Sequence, residues 1–335
     1  MNNPLLISFD TAPFSKIKNE HFSPAIKHLI NVTKSEIEQI ADNDEEPTFI
    51  NTIVALDNTG KELDRVTSIF FNLNSAETND EIQKIAQEVS PLLSDFKNDL
   101  LLNDSIFKRV KKVYDSREKL NLNEEQKMLI EKQYKGFSRN GANLSENDKK
   151  TLREIDSKLS QLKLKFGENV LAETNDFCLQ ITDKSDLSGL PEGVVEMAAQ
   201  TAKEKKIEGW VFTLDYPSYV PFVTYADNRE LRKNISIAFG KRAFNNNEFD
   251  NQNTILEIVN LRHKRAQLLG YSSHAHFVLE ERMAKTPKKV FDFLNELLEK
   301  AKPAAQNEFN ELESFANELD KIEKLQKWDG AYYSE

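Results

Sequence analysis

Residues 209–244 read GWVFTLDYPSYVPFVTYADNRELRKNISIAFGKRAF, and this stretch decides the fold. Its opening, Trp210 to Leu214, is mostly aromatic or β-branched and is bounded by Gly, Asp and Pro, which is typical of a short strand. Asp227 and Asn228 then offer helix-capping side chains before a helical pattern. The stretch therefore predicts a change from a short strand to helices.

A second strand-like run lies upstream of this one. Phe177 to Ile181 is short and apolar, and the intervening run from Pro191 to Lys206 reads as one helix. We therefore expect a small β-containing insert near residues 177–215. The 335 residues include only 10 Gly and 10 Pro, below the average shares of roughly 7% and 5%. A chain poor in turn formers and rich in Lys, Glu, Leu and Asn is expected to be mainly α.

Composition excludes several classes of protein. A formal net charge of −10 argues against nucleic acid as a partner, because phosphate binding needs clustered Lys and Arg. Cys178 is alone, so no internal disulfide is possible, and its apolar neighbours favour a small packing residue over a nucleophile. No signal peptide or run of ~20 apolar residues is present, so we expect no membrane partner and a cytoplasmic location.

The first half of the chain is expected to be helical after an extended start from Pro4 to Asn19. The long pattern from Thr286-Pro287 to about Lys324 predicts another helix, interrupted near Pro303. Pro91 is expected to kink or break an earlier one. Helix starts are predicted at four capping signals: Ser23 before Pro24, Thr48, Thr78, and Ser145 with Asp148. The helix that Thr48 begins is expected to be a single long one, with its apolar stripe continuing from Leu56 to Leu73. We expect two domains, a helical one at 1–176 and a second at 177–335.

No reaction centre is visible in the residues themselves. A helical zinc peptidase carries H-E-x-x-H, which places two His on one face of a helix with a Glu as general base. None of the five His begins that pattern. The nearest approach is His274-x-His276 with Glu280, but on a helix His274 points about 200° away from His276. We therefore interpret His276 as a polar or packing residue at a helix start. The elbow of a serine hydrolase and phosphate-binding glycine loops are also absent from the sequence.

Two aromatic clusters are the remaining candidates for a cleft. Aromatic side chains with polar tips often line binding sites. Packing around the strand-to-helix turn is the interpretation that we favour for the first cluster. The clusters are Tyr216, Tyr219, Phe222 and Tyr225, and Trp328, Tyr332 and Tyr333. We assign no catalytic, cofactor-binding or metal-binding residue.

Several motifs in order along the chain resemble one family, the zinc oligopeptidases that include thimet oligopeptidase, oligopeptidase A and peptidyl-dipeptidase Dcp. The set of motifs is specific and spans essentially the whole chain. The matching runs are Asn3-Pro-Leu-Leu6, Pro13-Phe14, His21-Phe-x-Pro-Ala25, Trp210 to Pro221, Tyr225 to Arg232, Leu261-Arg262, Ala266 to Tyr271, Met283-Ala284, and Trp328-Asp329 with Tyr332-Tyr333.

The resemblance implies a fold and a site. Family members are mainly helical, two-lobed metallopeptidases with a deep channel between the lobes. Their H-E-x-x-H helix and a further Glu ligand lie downstream of the element that matches Trp328 to Tyr333. No family zinc or catalytic residue therefore has a counterpart here. We expect the chain to represent one multi-helix lobe and the start of the peptidase domain, as a designed fragment, a proteolytic fragment or a truncated gene product.

The leading hypothesis is that the chain is the N-terminal portion of a zinc-dependent oligopeptidase or peptidyl-dipeptidase and that it is inactive on its own. The complete enzyme would bind zinc and short peptides, whereas this chain alone is expected to bind no catalytic zinc. Its partner would be the missing C-terminal half, and exposed apolar surface would promote dimers. Internal cleavage and dipeptide release both remain open. The alternative is a stand-alone, non-catalytic helical module that binds a peptide or protein.

Overall fold

The computed structural model describes residues 3–335 and divides them into two compact units. The first, the helical unit, runs up to Lys165 and also contains Glu257–Phe277. The second, the mixed unit, consists of Phe166–Leu256 and Val278–Glu335. The boundary between the units at Lys165 and Phe166 lies inside a long helix that ends at Asp176. The assignment of two domains with a boundary after residue 176 stays a prediction.

The secondary structure of the described residues is 72% helical. The predicted fold class, mainly α with a small β-containing insert, is confirmed. Among residues 3–335, no helix is long and apolar enough to cross a membrane. In chain order the α-helices are α1 Phe22–Ala41, α2 Ala55–Asn58, α3 Lys61–Ala76, α4 Asp80–Leu101, α5 Asp104–Ser116, α6 Glu124–Ser138, α7 Glu146–Asp176, α8 Glu192–Lys205, α9 Tyr216–Tyr225, α10 Arg229–Gly240, α11 Gln252–Leu268, α12 His274–Leu279, α13 Pro287–Asp320 and α14 Gly330–Tyr333.

The core of the helical unit forms where amphipathic helices turn their apolar faces together. In α1 the apolar residues recur at three- and four-residue spacing, so they form one stripe against α3 and α4. The rings of Phe22 and Phe70 lie 5.1 Å apart at the centre of this cluster. A second cluster joins α5 and α6 to the segment after α1 and includes Ile53, Val110 and Ile130. Each of these three side chains is fully buried.

Several local predictions for this unit need correction. The start of the chain is not extended, because short 3₁₀ turns at Pro4–Leu6, Phe14–Lys16 and Asn19–His21 interrupt it. The turn after α2 breaks the predicted single helix, and Gly60 there has a φ of +75°.

The capping and proline predictions had mixed outcomes. Asn79 rather than Thr78 caps α4, because its side chain accepts a hydrogen bond from the Ile82 N–H at 3.0 Å. Helix α4 continues through Pro91, since buried Val89 before it and the partly buried Phe96 after it both pack in the core. Helix α13 likewise continues through Pro303. The Ser145 cap is confirmed, because its Oγ accepts a hydrogen bond from the Asp148 N–H at 3.3 Å.

The β-containing insert of the mixed unit is a two-stranded antiparallel sheet. Strand β1 is Leu179–Ile181 and strand β2 is Trp210–Phe212, and Ile181 pairs with Trp210. Helix α8 packs on β2. The rings of Phe212 and Phe222 lie 4.5 Å apart, which joins the sheet to α9. The strand-to-helix change predicted from residues 209–244 is therefore present.

Gly209 lies immediately before β2 and needs to be glycine. Its φ is +86°, and a Cβ at this position would lie 2.2 Å from the carbonyl oxygen of Ile181. Backbone at this φ is strained for residues with a side chain, and the carbonyl could not move without disturbing the strand pair.

We expect Gly209→Ala to lower the free energy of unfolding by more than about 1 kcal/mol, through φ strain and the backbone clash. Gly167→Ala is the matched control, because Gly167 lies inside α7 with nothing within 4 Å of the added Cβ. That control should raise the free energy of unfolding by about 0.5–1 kcal/mol. Urea unfolding of both variants provides the measurement, and equal effects would contradict this account.

Candidate functional site

The histidines do not form a metal centre. Within residues 3–335, no three His, Cys, Asp or Glu side chains converge in a group that could hold a metal ion. The Nδ1 atom of His276 lies 2.8 Å from Ser273 Oγ, where it helps to start α12. The interpretation of His276 as a polar residue at a helix start is confirmed. The described residues therefore do not fit a zinc site, and the assignment of no catalytic, cofactor-binding or metal-binding residue stays a prediction.

The first aromatic cluster packs around the strand-to-helix turn, as predicted. Tyr219 stacks on Phe239 of α10 with ring centroids 4.0 Å apart. Phe222 is fully buried, whereas Tyr216 is 68% exposed and meets Phe239 edge-on. These contacts join α9 to α10. Cys178, beside β1, is half-buried.

The second aromatic cluster surrounds a buried carboxylate. Asp329 is fully buried immediately before α14. Its two oxygens accept hydrogen bonds from Arg229 Nε and Nη2 at 2.8 and 2.7 Å, in the forked geometry that gives strong ion pairs. The N–H of Gln326 also donates to Asp329 at 2.9 Å.

Arg232 completes this buried ion cluster from the next turn of α10. It is 1% exposed, and its Nη2 lies 3.5 Å from Asp329 Oδ1. Its Nη1 donates to the carbonyl oxygens of Ala226 and Asp227 at 2.7 and 3.1 Å. Its guanidinium lies 3.8 Å from the ring centroid of Tyr332, within the range of a cation–π contact. Helix α10 therefore presents two cations, three residues apart, to one carboxylate.

The phenols of this region are paired with acids. Tyr332 donates to Asp227 at 2.9 Å, and Tyr225 donates to Glu335 at 3.1 Å. Tyr333 donates to Asp320 at 2.8 Å, and burial together with this carboxylate raises its pKa to about 12. These phenols are held neutral as hydrogen-bond donors near neutral pH. The arrangement fastens α14 to α9, α10 and the end of α13.

The charge of Asp329 is favoured in the folded protein. Burial acts to raise the pKa of its carboxyl, but the hydrogen bonds from Arg229 and Gln326, with the charges of Arg229 and Arg232, lower it below its usual 3.8. A carboxyl with a lowered pKa contributes stability above its unfolded-state pKa and loses it as the pH falls through the folded-state pKa.

Sequence reasoning named both motifs of this cluster but not their contact. Arg229, Arg232 and Asp329 lie in two of the motifs that resemble the family, but the sequence alone assigns them no role. The available signal was the pair of Arg at i and i+3 on one helix face, which requires a buried acid if that face is covered. Nothing in the sequence identified Asp329 as that acid.

Comparison with protein families matches two parts of the chain. Residues 26–149 match the family described as Neurolysin/Thimet oligopeptidase, N-terminal domain. Residues 222–335 match Peptidase family M3, and this match contains both motifs that the buried ion cluster joins. The family resemblance predicted from the sequence is confirmed.

Curated relatives of this chain are peptidases by name. Oligopeptidase A of Escherichia coli is 34% identical over 100% of this chain and 50% of its own length. Dipeptidyl carboxypeptidase of Escherichia coli is 32% identical over 99% of this chain and 50% of its own length. Organellar oligopeptidase A of Arabidopsis thaliana is 31% identical over 100% of this chain and 43% of its own length. The chain thus spans about half the length of the curated relatives it matches.

We expect Asp329→Asn to lower the free energy of unfolding by about 3–5 kcal/mol, because it leaves the buried Arg232 and the half-buried Arg229 uncompensated. Asp292→Asn is the matched control, since Asp292 pairs with Lys288 on the exposed surface of α13. Removal of that exposed pair should cost less than about 1 kcal/mol. Urea unfolding at neutral pH measures both, and a small effect at Asp329 would contradict the role given to the ion cluster.

The pH dependence provides a separate prediction. Because the folded-state pKa of Asp329 is lowered, the stability difference between the parent chain and Asp329→Asn should be constant above the unfolded-state pKa of about 3.9. It should shrink as the pH falls below that value. Unfolding curves at a series of acidic pH values measure the difference, and a difference that grows on acidification would have the wrong sign.

Proposed function

We propose that this chain is the N-terminal portion of a zinc-dependent oligopeptidase or peptidyl-dipeptidase. The complete enzyme would hydrolyse short peptides, with its zinc ligands outside residues 1–335, since H-E-x-x-H does not occur in this sequence. The observation that carries the proposal is the alignment of the whole chain with half of an oligopeptidase. The chain alone would not hydrolyse peptides.

The exposed apolar surface of α13 supports the proposal that a further part of the protein binds there. Many apolar side chains of this helix are exposed, although apolar helix faces are normally buried. The side chains that are 45–64% exposed are Phe291, Phe293, Leu294, Leu297, Leu298, Phe309, Phe315 and Leu319. Apolar surface of this kind is typical of protein interfaces. We propose that the C-terminal half of the complete enzyme covers it.

The cytoplasm is the proposed compartment. A probable cytosolic oligopeptidase A of Arabidopsis thaliana is 31% identical over the whole chain, which supports this location.

A chimera tests the function directly. Residues 1–335 would be joined to the half of Escherichia coli oligopeptidase A that this chain does not cover. We expect the chimera to cleave a short quenched-fluorescent peptide, with activity lost on chelation and restored by zinc. The chain alone should show no chelator-sensitive cleavage above buffer.

Two outcomes would contradict the proposal. Chelator-sensitive turnover by the purified chain alone would place the chemistry within residues 1–335. A folded chimera that binds zinc and peptide but does not cleave would favour the alternative of a non-catalytic binding module. A chimera carrying His→Ala at the first His of the relative's H-E-x-x-H provides the inactive control.

We expect the isolated chain to self-associate through α13, because each copy can bury the apolar side chains of another. Sedimentation velocity over a range of concentrations measures the association. Leu294→Asp with Leu298→Asp, at positions 51% and 58% exposed, should shift the chain toward monomer. Asn310→Asp on the same helix is the control and should leave association unchanged. A parent chain that stays monomeric at high concentration would contradict the prediction.

A further inference from the structure

A cavity in the helical unit is lined by more cations than its acids can balance. Its volume is about 440 Å³, within the range of ~300–1,000 Å³ that small-molecule sites occupy. It lies among α4, α7, the end of α11 and the start of α12. We call it the basic pocket, and its lining residues are Leu93, Ser94, Lys97, Asn98, Leu101, Asn140, Asp156, Leu159, Ser160, Lys163, Arg262, Arg265, His274 and Phe277.

The acid of the basic pocket is already paired. Asp156 accepts from Arg265 Nε at 2.6 Å, and Arg265 also donates to Asn140 at 3.2 Å. This pair leaves Lys97, Lys163 and Arg262 as additional cations around the same cavity. In the described part of the chain, none of these three side chains has an ion pair or a hydrogen bond. The pocket therefore has a net positive charge.

The titration of two lining residues is consistent with this charge. Burial, followed by the positive charge of Arg262, lowers the pKa of both Lys163 and His274. Each group is thus harder to protonate than it would be in water. An anion in the pocket would relieve that repulsion.

A buried donor inside the pocket has no acceptor. Asn98 of α4 is only 4% exposed and lines the cavity, and its Nδ2 atom has no hydrogen-bond partner. A buried polar group without a partner costs folding free energy, so native proteins rarely leave one unless a ligand or water pairs with it. The amide donates hydrogens from this atom, and an oxyanion would accept them.

We propose that the basic pocket binds a small organic anion, whose carboxylate or phosphate oxygens accept hydrogen bonds from Asn98 Nδ2 and pair with Arg262 and Lys163. The apolar part of the ligand would contact Leu101, Leu159 and Phe277, which line the same cavity. The combination of a few donors with apolar walls is that of a small-molecule site. This binding activity does not depend on the proposed peptidase activity.

Matched probes separate the possible ligand chemistries. N-acetyl-leucinamide has a neutral amide in place of the carboxylate of N-acetyl-leucine, so this pair tests the need for a negative charge. Phenyl phosphate and inorganic phosphate test phosphate binding with and without an apolar group. Isothermal titration of the 335-residue chain at low salt measures each affinity. We expect saturable binding of N-acetyl-leucine or phenyl phosphate at one site, and none of N-acetyl-leucinamide. Carboxylate binding and phosphate binding would each support the proposal and would identify the headgroup.

Two variants test the location of the site. Arg262→Gln should weaken binding by about tenfold or more, because it removes a charge-assisted contact. Arg282→Gln carries the same charge change at an exposed position outside the pocket and should leave affinity unchanged. Asn98→Asp places a carboxylate among the cations, so it should abolish probe binding while raising the unfolding temperature.

Three outcomes would overturn the proposal. They are the absence of saturable binding by every probe, equal loss of binding in Arg262→Gln and Arg282→Gln, and equal binding of N-acetyl-leucine and its amide. Loss of probe binding when residues 1–335 are joined to the other half of a relative would instead assign the pocket to an acidic protein segment.

Discussion

The mixed unit depends on the ion pair between Asp329 and the two arginines of α10. Asp329 and Arg229 lie 100 residues apart in the chain, yet both oxygens of this fully buried carboxylate meet the Arg229 guanidinium. Arg232 is equally buried. It also donates hydrogen bonds to backbone carbonyls, and its guanidinium lies over the ring of Tyr332. Because burial of Asp329 or Arg232 without a partner would be costly, these residues must be brought together.

The same cluster explains the composition of the surrounding motifs. The acids that follow or precede it, Asp227 and Asp320, accept from the phenols of Tyr332 and Tyr333. Helix α14 is therefore fixed at several points although it has only four residues. Helix α13, which leads into this anchor, keeps an exposed apolar face. A fixed end and an uncovered apolar helix together suit the proposed role as part of a larger peptidase.

The sequence predicted the elements of this structure better than the contacts between them. Apolar spacing identified the helices, and the aromatic runs around Phe177 and Trp210 identified the two short strands, because these signals are local. A break at Pro91 is contradicted because the residues on both sides of it pack in the core, which a local rule does not include. The expected interruption near Pro303 is also absent, and nothing in the structure explains that continuation. The partners of Asp329 and the unpaired Asn98 could not be predicted, because each depends on residues distant in sequence.

A double-mutant cycle between Arg229 and Asp329 tests the central claim most directly. The unfolding free energies of the parent chain, Arg229→Gln, Asp329→Asn and the double variant give the coupling between the two side chains. We predict that the double variant is destabilised by less than the sum of the single variants, with a coupling energy above about 1 kcal/mol. Additivity within about 0.5 kcal/mol would mean that the ion pair does not hold the mixed unit together.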